Sequence, residues 1–114
     1  DEAIINTCIH HPWSTFRFTV NGYYQMFRGI QYIQNPAHIQ QIPKNLPLFF
    51  VAGGDDPVGN NGKSVTQVCQ QYKAAGIQDV QIKLYPGDRH EILNETDRDV
   101  VYADLLTWLN GHLA

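Results

Sequence analysis

Residues 48–59 read Leu-Phe-Phe-Val-Ala-Gly-Gly-Asp-Asp-Pro-Val-Gly in this chain of 114 residues. The first five residues form a short continuous apolar run, which is typical of a β-strand buried on both faces. Such strands belong to parallel sheets, because helices cover both faces of those sheets. Gly53 and Gly54 end the run. The stretch therefore predicts a strand of an α/β protein, followed by a loop that carries Asp55 and Asp56.

The sequence after this loop continues the alternation of helix and strand. Apolar residues at helical spacing predict a helix over residues 62–75. Apolar and polar residues alternate over residues 80–84, which is typical of a strand with one buried face, and Pro86-Gly87 ends it. Thr96 and Asp99 fit a capping box and predict the start of a last helix. The order strand–helix–strand–helix implies a right-handed parallel unit.

This predicted unit has surfaces that need a partner. Two parallel strands do not make a stable sheet, so residues 46–114 are interpreted as the end of a larger sheet. Its unpaired strand edge and uncovered face favour association between copies. We therefore expect the isolated chain to form a dimer or a larger assembly.

Residues 1–45 are richer in aromatic side chains and less regular. A helix is predicted over residues 20–34, with Thr19 or Asn21 as its N-cap. Asn35 and Pro36 predict the start of a second, short helix. The aromatic residues of this part are Trp13, Phe16, Phe18, Tyr23, Tyr24 and Phe27. They are interpreted either as core residues or as the lining of an apolar acyl pocket.

Two loops follow the predicted strands and carry the candidate site. Active sites of open α/β sheets form at the carboxyl ends of the strands, and adjacent parallel strands place their loops side by side. Asp56 in the first loop should therefore face His90 in the second. A carboxylate on one ring nitrogen leaves the other nitrogen free to act as a base. Asp55 is the alternative acid. Asp56 and His90 also have simpler interpretations, Asp56 as a turn residue and His90 as a surface histidine.

The residues of these loops also carry a resemblance to a known family. Residues 53–59, the turn Tyr85-Pro86-Gly87 and residues 89–95, which read Arg-His-Glu-Ile-Leu-Asn-Glu, resemble the C-terminal end of the α/β-hydrolase fold. The most similar group is that of lysophospholipases, monoacylglycerol lipases and serine aminopeptidases. The resemblance implies that Asp56 is the catalytic acid and that His90 is the catalytic histidine.

Residues 1–45 are included in this resemblance. Phe18-Thr19-Val20-Asn21-Gly22-Tyr23 and Arg28-Gly29 resemble the end of the cap that lies over the active site in this group. Residues 1–45 are therefore interpreted as a helical cap remnant, and residues 46–114 as the part of the sheet that bears the acid and the histidine.

The nucleophile of this group is the missing element. It lies in a Gly-x-Ser-x-Gly turn that precedes the acid in the sequence. The chain contains Ser14, which has no flanking glycines, and Ser64, which follows Asp56. We interpret the chain as the C-terminal portion of a serine hydrolase that cleaves carboxylic esters, with lipid or acylglycerol esters as the expected substrates, and we expect the chain alone to be inactive. The alternative is a non-catalytic binding or interaction module that retains the hydrolase frame.

Composition argues against several other classes of protein. The net charge is −3 and there is no basic stripe, so nucleic acid is not an expected partner. No apolar run approaches the ~20 residues of a membrane helix, and Asp1-Glu2 does not begin a signal peptide. Cys8 and Cys69 are interpreted as free core thiols of a cytoplasmic protein.

No metal or cofactor is expected either. Cys8, His10 and His11 do not have the spacing of a metal site. Residues 59–64 lie between a strand and a helix, as a phosphate-binding loop does. However, Pro57 stands where that motif requires glycine, and Asp55 and Asp56 would repel phosphate.

Overall fold

The computed structural model describes residues 2–14 and 16–113. It divides into two compact units, Asp1–Gln41 and Ile42–Ala114. We call the first the helical unit and the second the α/β unit. Assignment of residues 1–45 to the end of a cap remains a prediction.

The described residues of the helical unit form the helices α1 (Glu2–His10), α2 (Val20–Ile33) and α3 (Pro36–Ile39). The Oγ1 atom of Thr19 accepts a hydrogen bond from the Gly22 backbone N–H and caps α2, at 3.1 Å. Asn35 caps α3 through a 3.0 Å bond from the Ala37 N–H to its Oδ1. Both predicted helices are therefore confirmed, whereas α1 is an element that the sequence analysis missed.

The aromatic side chains of the helical unit are exposed, so their interpretation as core residues is wrong. Trp13 is 79% exposed and Phe27 is 62% exposed. Neither α1 nor α2 contains a buried residue among those described. Cys8 is also exposed, contrary to its predicted place in the core. A unit of this size has too small an interior to enclose so many large side chains.

The α/β unit has the predicted order of elements. Strand β1 (Leu48–Gly53) is followed by α4 (Lys63–Ala74), β2 (Val80–Tyr85), a 3₁₀ turn (Ile92–Asn94) and α5 (Arg98–Asn110). The two strands pair in parallel, with Leu48 opposite Val80 and Gly53 opposite Tyr85. Gly76 has φ +90° just after α4, a conformation that glycine adopts without steric cost and that ends the helix.

The core of the α/β unit lies in two clusters, one on each face of the sheet. Val80 and Tyr85 are five residues apart on β2, so their side chains point to opposite faces. Val80 packs with Cys69 of α4, and Tyr85 packs with Val101 of α5. Cys69 and Val101 are the most fully buried large side chains of the described residues. Cys69 is thus a free core thiol, as predicted.

Polar contacts also hold α5 in place. The Tyr85 hydroxyl donates a 3.0 Å hydrogen bond to Asp104 of α5, which also forms an ion pair with Lys83. Beyond the end of the helix, the ring of His112 contacts the Asp79 carboxylate at 2.8 Å. These contacts fix α5 against both ends of β2, and the histidine loop runs between β2 and α5.

Two details of the α/β unit differ from the predictions. The apolar run of β1 is only partly buried, because β2 is its single partner strand among the described residues. Helix α5 begins at Arg98 rather than Thr96, and its N-cap residue, Asp97, makes no side-chain hydrogen bond to the helix among the described contacts. The predicted capping box is therefore wrong, because residues 95–97 form a turn closed by the bond from the Arg98 N–H to the Glu95 carbonyl.

None of the described helices has the length and apolar character required to cross a membrane.

The exposed side of α5 leads to a prediction about assembly. Tyr102, Leu106 and Leu109 are each more than 40% exposed and lie on one side of the helix. Exposure of such an apolar stripe to water is unfavourable, so we predict that the purified chain self-associates through it. Leu106→Asp should shift the chain towards monomer in analytical ultracentrifugation, whereas Thr107→Asp, off the stripe, should not. A wild-type monomer at all soluble concentrations would contradict the prediction.

Candidate active site

The two loops of the candidate site are joined by backbone hydrogen bonds that continue from the strands. The acid loop comprises residues 53–59 and begins at the last residue of β1, and the histidine loop comprises residues 86–91, after β2. The Gly54 N–H donates to the Tyr85 carbonyl at 2.7 Å, and the Asp55 N–H donates to the Asp88 carbonyl at 2.9 Å. The loops therefore leave the sheet together and remain side by side.

Gly53 permits this close approach. A Cβ atom at Gly53 would lie 2.2 Å from the Arg89 carbonyl oxygen and 2.3 Å from the Asp88 carbonyl oxygen. Both obstacles are backbone atoms, which cannot swing aside as a side chain can. Only glycine therefore lets the histidine loop cross the end of β1 at this distance.

The crossing brings the two predicted site residues together. The Nδ1 atom of His90 lies 3.0 Å from Oδ2 of Asp56, although the residues are 34 positions apart in the sequence. The other oxygen of Asp56 accepts a 2.9 Å hydrogen bond from the Val58 backbone N–H. The Asp56 side chain is 8% exposed, whereas that of His90 is 64% exposed. The pair thus has a buried acid and an accessible imidazole.

Electrostatics keep Asp56 ionised. Its pKa is lowered, mainly by the hydrogen bond with His90 and also by the Val58 N–H, against the opposing effect of burial. A carboxylate can only accept a hydrogen bond, so Nδ1 of His90 carries the proton in this contact. In the neutral imidazole, Nε2 then has a free lone pair and can take a proton from a hydroxyl group.

The other candidate residues do not form this contact. Asp55 has an exposed side chain, and the hydrogen bond of His90 goes to Asp56 instead. Ser64 is exposed at the start of α4. Within the described part of the chain, no group of three His, Cys, Asp or Glu side chains is arranged to hold a metal ion.

Asp88 is a buried carboxyl group that the sequence analysis did not identify. It is 5% exposed, and its Oδ2 atom has no hydrogen-bond donor among the described residues. Burial raises the pKa of Asp88 to about 6, with further contributions from the carboxyl groups of Asp97 and Glu95. Its position after a Pro-Gly turn is typical of a surface residue, so no pattern in the sequence predicts its burial.

Comparisons with known proteins agree with this architecture. The fold and the paired acid and histidine define part of an α/β-hydrolase. Residues 1–97 match the model of the family Hydrolase_4, described as serine aminopeptidase, S33, and the chain belongs to this family. The family resemblance seen in the sequence is thereby confirmed.

Two curated relatives are named as lipases. The chain is 34% identical over 92 residues to a monoglyceride lipase of Saccharomyces cerevisiae, a match that covers 76% of this chain and 28% of the lipase. It is 34% identical over 70 residues to a monoacylglycerol lipase of Mycolicibacterium smegmatis, covering 59% of this chain and 22% of that protein. The chain thus spans about a quarter of the length of these curated relatives.

A solved structure matches nearly the whole chain. It is the crystal structure of a highly thermostable carboxyl esterase from Bacillus coagulans in complex with glycerol, with a TM-score of 0.87 and 30% sequence identity. The match covers 97% of this chain and 36% of the esterase chain. The predicted α/β-hydrolase fold is therefore confirmed.

The close approach of the histidine loop to Gly53 predicts that Gly53→Ala, which adds one methyl group, strongly lowers stability. Gly53→Ala should lower the free energy of unfolding by about 1–3 kcal/mol, because backbone atoms must move to admit Cβ. Gly29→Ala is the matched control, since a Cβ atom at Gly29 in α2 meets nothing within 4 Å. Urea unfolding measures both. Equal stability of Gly53→Ala and the wild type would contradict the close contact between Gly53 and the backbone of the histidine loop.

The buried carboxyl of Asp88 predicts a pH-dependent difference in stability. Because its folded pKa of about 6 exceeds its ordinary value of 3.8, the folded state binds the proton more tightly. The contribution of Asp88 to stability is therefore greatest below about pH 4 and decreases as the pH rises to about 6. Asp88→Asn should escape this decrease and gain roughly 1–2 kcal/mol over the wild type at pH 7, with no such gain near pH 3.5.

Thermal unfolding at several pH values measures this difference. Asp55→Asn, an exposed neighbour, should track the wild type across the range. A constant difference between Asp88→Asn and the wild type at every pH would contradict the assignment of a raised pKa to Asp88.

Proposed function

We propose that this chain supplies the acid and the histidine of a Ser-His-Asp triad in a serine hydrolase that cleaves carboxylic esters. The observation that carries the proposal is the 3.0 Å contact between a buried Asp56 carboxylate and an exposed His90. The nucleophilic serine is proposed to lie outside this chain, because neither Ser14 nor Ser64 is in a Gly-x-Ser-x-Gly turn before the acid.

The geometry suits His90 to move a proton in two directions. Nε2 of His90 would accept the proton of the serine hydroxyl as its oxygen attacks the ester carbonyl carbon. The imidazolium would then protonate the leaving alkoxide, which departs as an alcohol and leaves an acyl-enzyme. In the second half of the reaction, His90 would take a proton from water as it attacks the acyl group, and would return that proton to the serine. The Asp56 carboxylate stabilises the imidazolium at each stage.

The proposed substrates are esters of lipids or acylglycerols. Two relatives are named as monoglyceride and monoacylglycerol lipases, and the matched structure is that of a carboxyl esterase. Exposed aromatic side chains of α2, such as Tyr24 and Phe27, offer an apolar surface of the kind that an acyl chain favours. We therefore propose that residues 1–45 belong to a cap that contacts the acyl chain. A cytoplasmic location is part of the proposal, motivated by the free thiols Cys8 and Cys69.

Variants in the protein that carries this chain together with its serine test the proposal. His90→Ala and Asp56→Asn should each lower kcat for a monoacylglycerol by roughly 10³–10⁴-fold, because the base is lost or its tautomer is no longer fixed. His11→Ala and Asp55→Asn are exposed controls that should hydrolyse the ester as the wild type does. Full activity of His90→Ala would overturn the proposal, and absence of any esterase activity in the wild type would favour a binding module.

The chain alone provides a second test. Exposed to a fluorophosphonate that labels activated serines, it should show no gain in intact mass. A covalent adduct on Ser14 or Ser64 would show that the nucleophile lies within this chain and would refute that part of the proposal.

A further inference from the structure

We propose that Glu95 is a positioning residue for His90, an inference that rests on the proposed function of the pair. Glu95 accepts a hydrogen bond from the Arg89 backbone N–H at 3.1 Å through its Oε1 atom. This N–H belongs to the peptide group between Asp88 and Arg89, and Arg89 directly precedes His90, so the bond holds the backbone one residue before the imidazole.

The peptide group between Asp88 and Arg89 is held at both ends. Its carbonyl oxygen, on Asp88, accepts from the Asp55 N–H at 2.9 Å, and its N–H, on Arg89, donates to Glu95. The carbonyl also lies against Gly53, where a Cβ atom would approach it to 2.3 Å. A peptide plane fixed on both sides cannot rotate without breaking one of these bonds. The acid loop therefore secures one end of the plane, and Glu95 secures the other.

The orientation of the His90 ring depends on this backbone support, because the side chain itself makes few contacts. Its ring is 64% exposed, and its described hydrogen bond is the one to Asp56. The direction of the ring thus depends on the backbone beneath it. A misplacement of about 1 Å in a catalytic group can reduce a rate by roughly 100-fold.

Glu95 can act in this way because the intervening segment is itself anchored. Ile92 is buried in the core beside Val101, and the Leu93 carbonyl accepts a 2.7 Å hydrogen bond from the Tyr102 hydroxyl of α5. These contacts fix the 3₁₀ turn that leads into Glu95. The position of α5 is thereby transmitted through Glu95 to the peptide group between Asp88 and Arg89.

Two variants of similar size separate the role of the acceptor atom from the role of charge. Glu95→Gln keeps an oxygen that can accept from the Arg89 N–H, whereas Glu95→Met has none. In NMR spectra of the chain, the low-field proton signal of His90 Nδ1 reports the contact with Asp56. We expect this signal in the wild type and in Glu95→Gln, and we expect it to be broadened or lost through exchange with water in Glu95→Met.

Kinetics of the protein that includes the serine provide the second readout. Glu95→Met should lower kcat by about 10–100-fold with little change in KM, since substrate binding does not use the peptide group, and Glu95→Gln should recover most of the rate. Asp99→Ala, an exposed carboxylate of α5, is the control expected to behave as the wild type. If Glu95→Met does not fold by circular dichroism, Glu95→Ala replaces it.

The outcomes distinguish this inference from the proposed function. An unchanged Nδ1 signal and unchanged kcat in Glu95→Met would overturn the inference, and so would equal losses in Glu95→Gln and Glu95→Met, which would assign the effect to charge. If the NMR series behaves as expected while His90→Ala remains fully active, the positioning role stands and the proposed hydrolytic role of His90 fails.

Discussion

Parallel pairing of β1 and β2 continues beyond the strands themselves, and the candidate site depends on this continuation. In a parallel pair both chains leave the sheet at the same edge, so the residues that follow each strand must share one space. Backbone hydrogen bonds from Gly54 to the last residue of β2, Tyr85, and from Asp55 to Asp88 of the histidine loop carry the pairing two residues further. Asp56 and His90 meet at the next step, although the helix α4 separates them in the sequence. The strand topology therefore places these two positions together, and the residues at them supply a carboxylate and an imidazole.

Two aspartates of the site show how donors, rather than burial, decide the charge of a carboxyl group. Over the whole residue, main chain included, Asp56 and Asp88 are each 5% exposed. Asp56 receives hydrogen bonds from His90 and the Val58 N–H, and its pKa is lowered. Asp88 has an oxygen without a donor and faces Asp97, and its pKa is raised. The loss of hydration is similar for the two groups, but only for Asp56 is it offset by donors that stabilise the charged form.

Much of the α/β unit could be predicted from the sequence, because its signals are local. The apolar run of β1, the alternation in β2 and Gly76 each specify an element through short-range periodicity or a required backbone angle. The meeting of Asp56 and His90 followed from the order of these elements. The burial of Asp88 and the exposure of Trp13 could not be predicted, since both depend on what packs around them. Helix α1 was missed despite apolar residues at helical spacing, Ile4, Ile5, Cys8 and Ile9.

The crossing at Gly53 also affects how this loop can change during evolution. Every substitution of glycine adds a Cβ atom, and here that atom meets the backbone of the histidine loop. No substitution at position 53 is therefore expected to be neutral. Two residues later, Asp55 has an exposed side chain, and its hydrogen bond to the Asp88 carbonyl is made by a backbone N–H, which every residue except proline has. Within a single turn of chain, selection should act strongly on the residue that has no side chain and weakly on one that carries a charge.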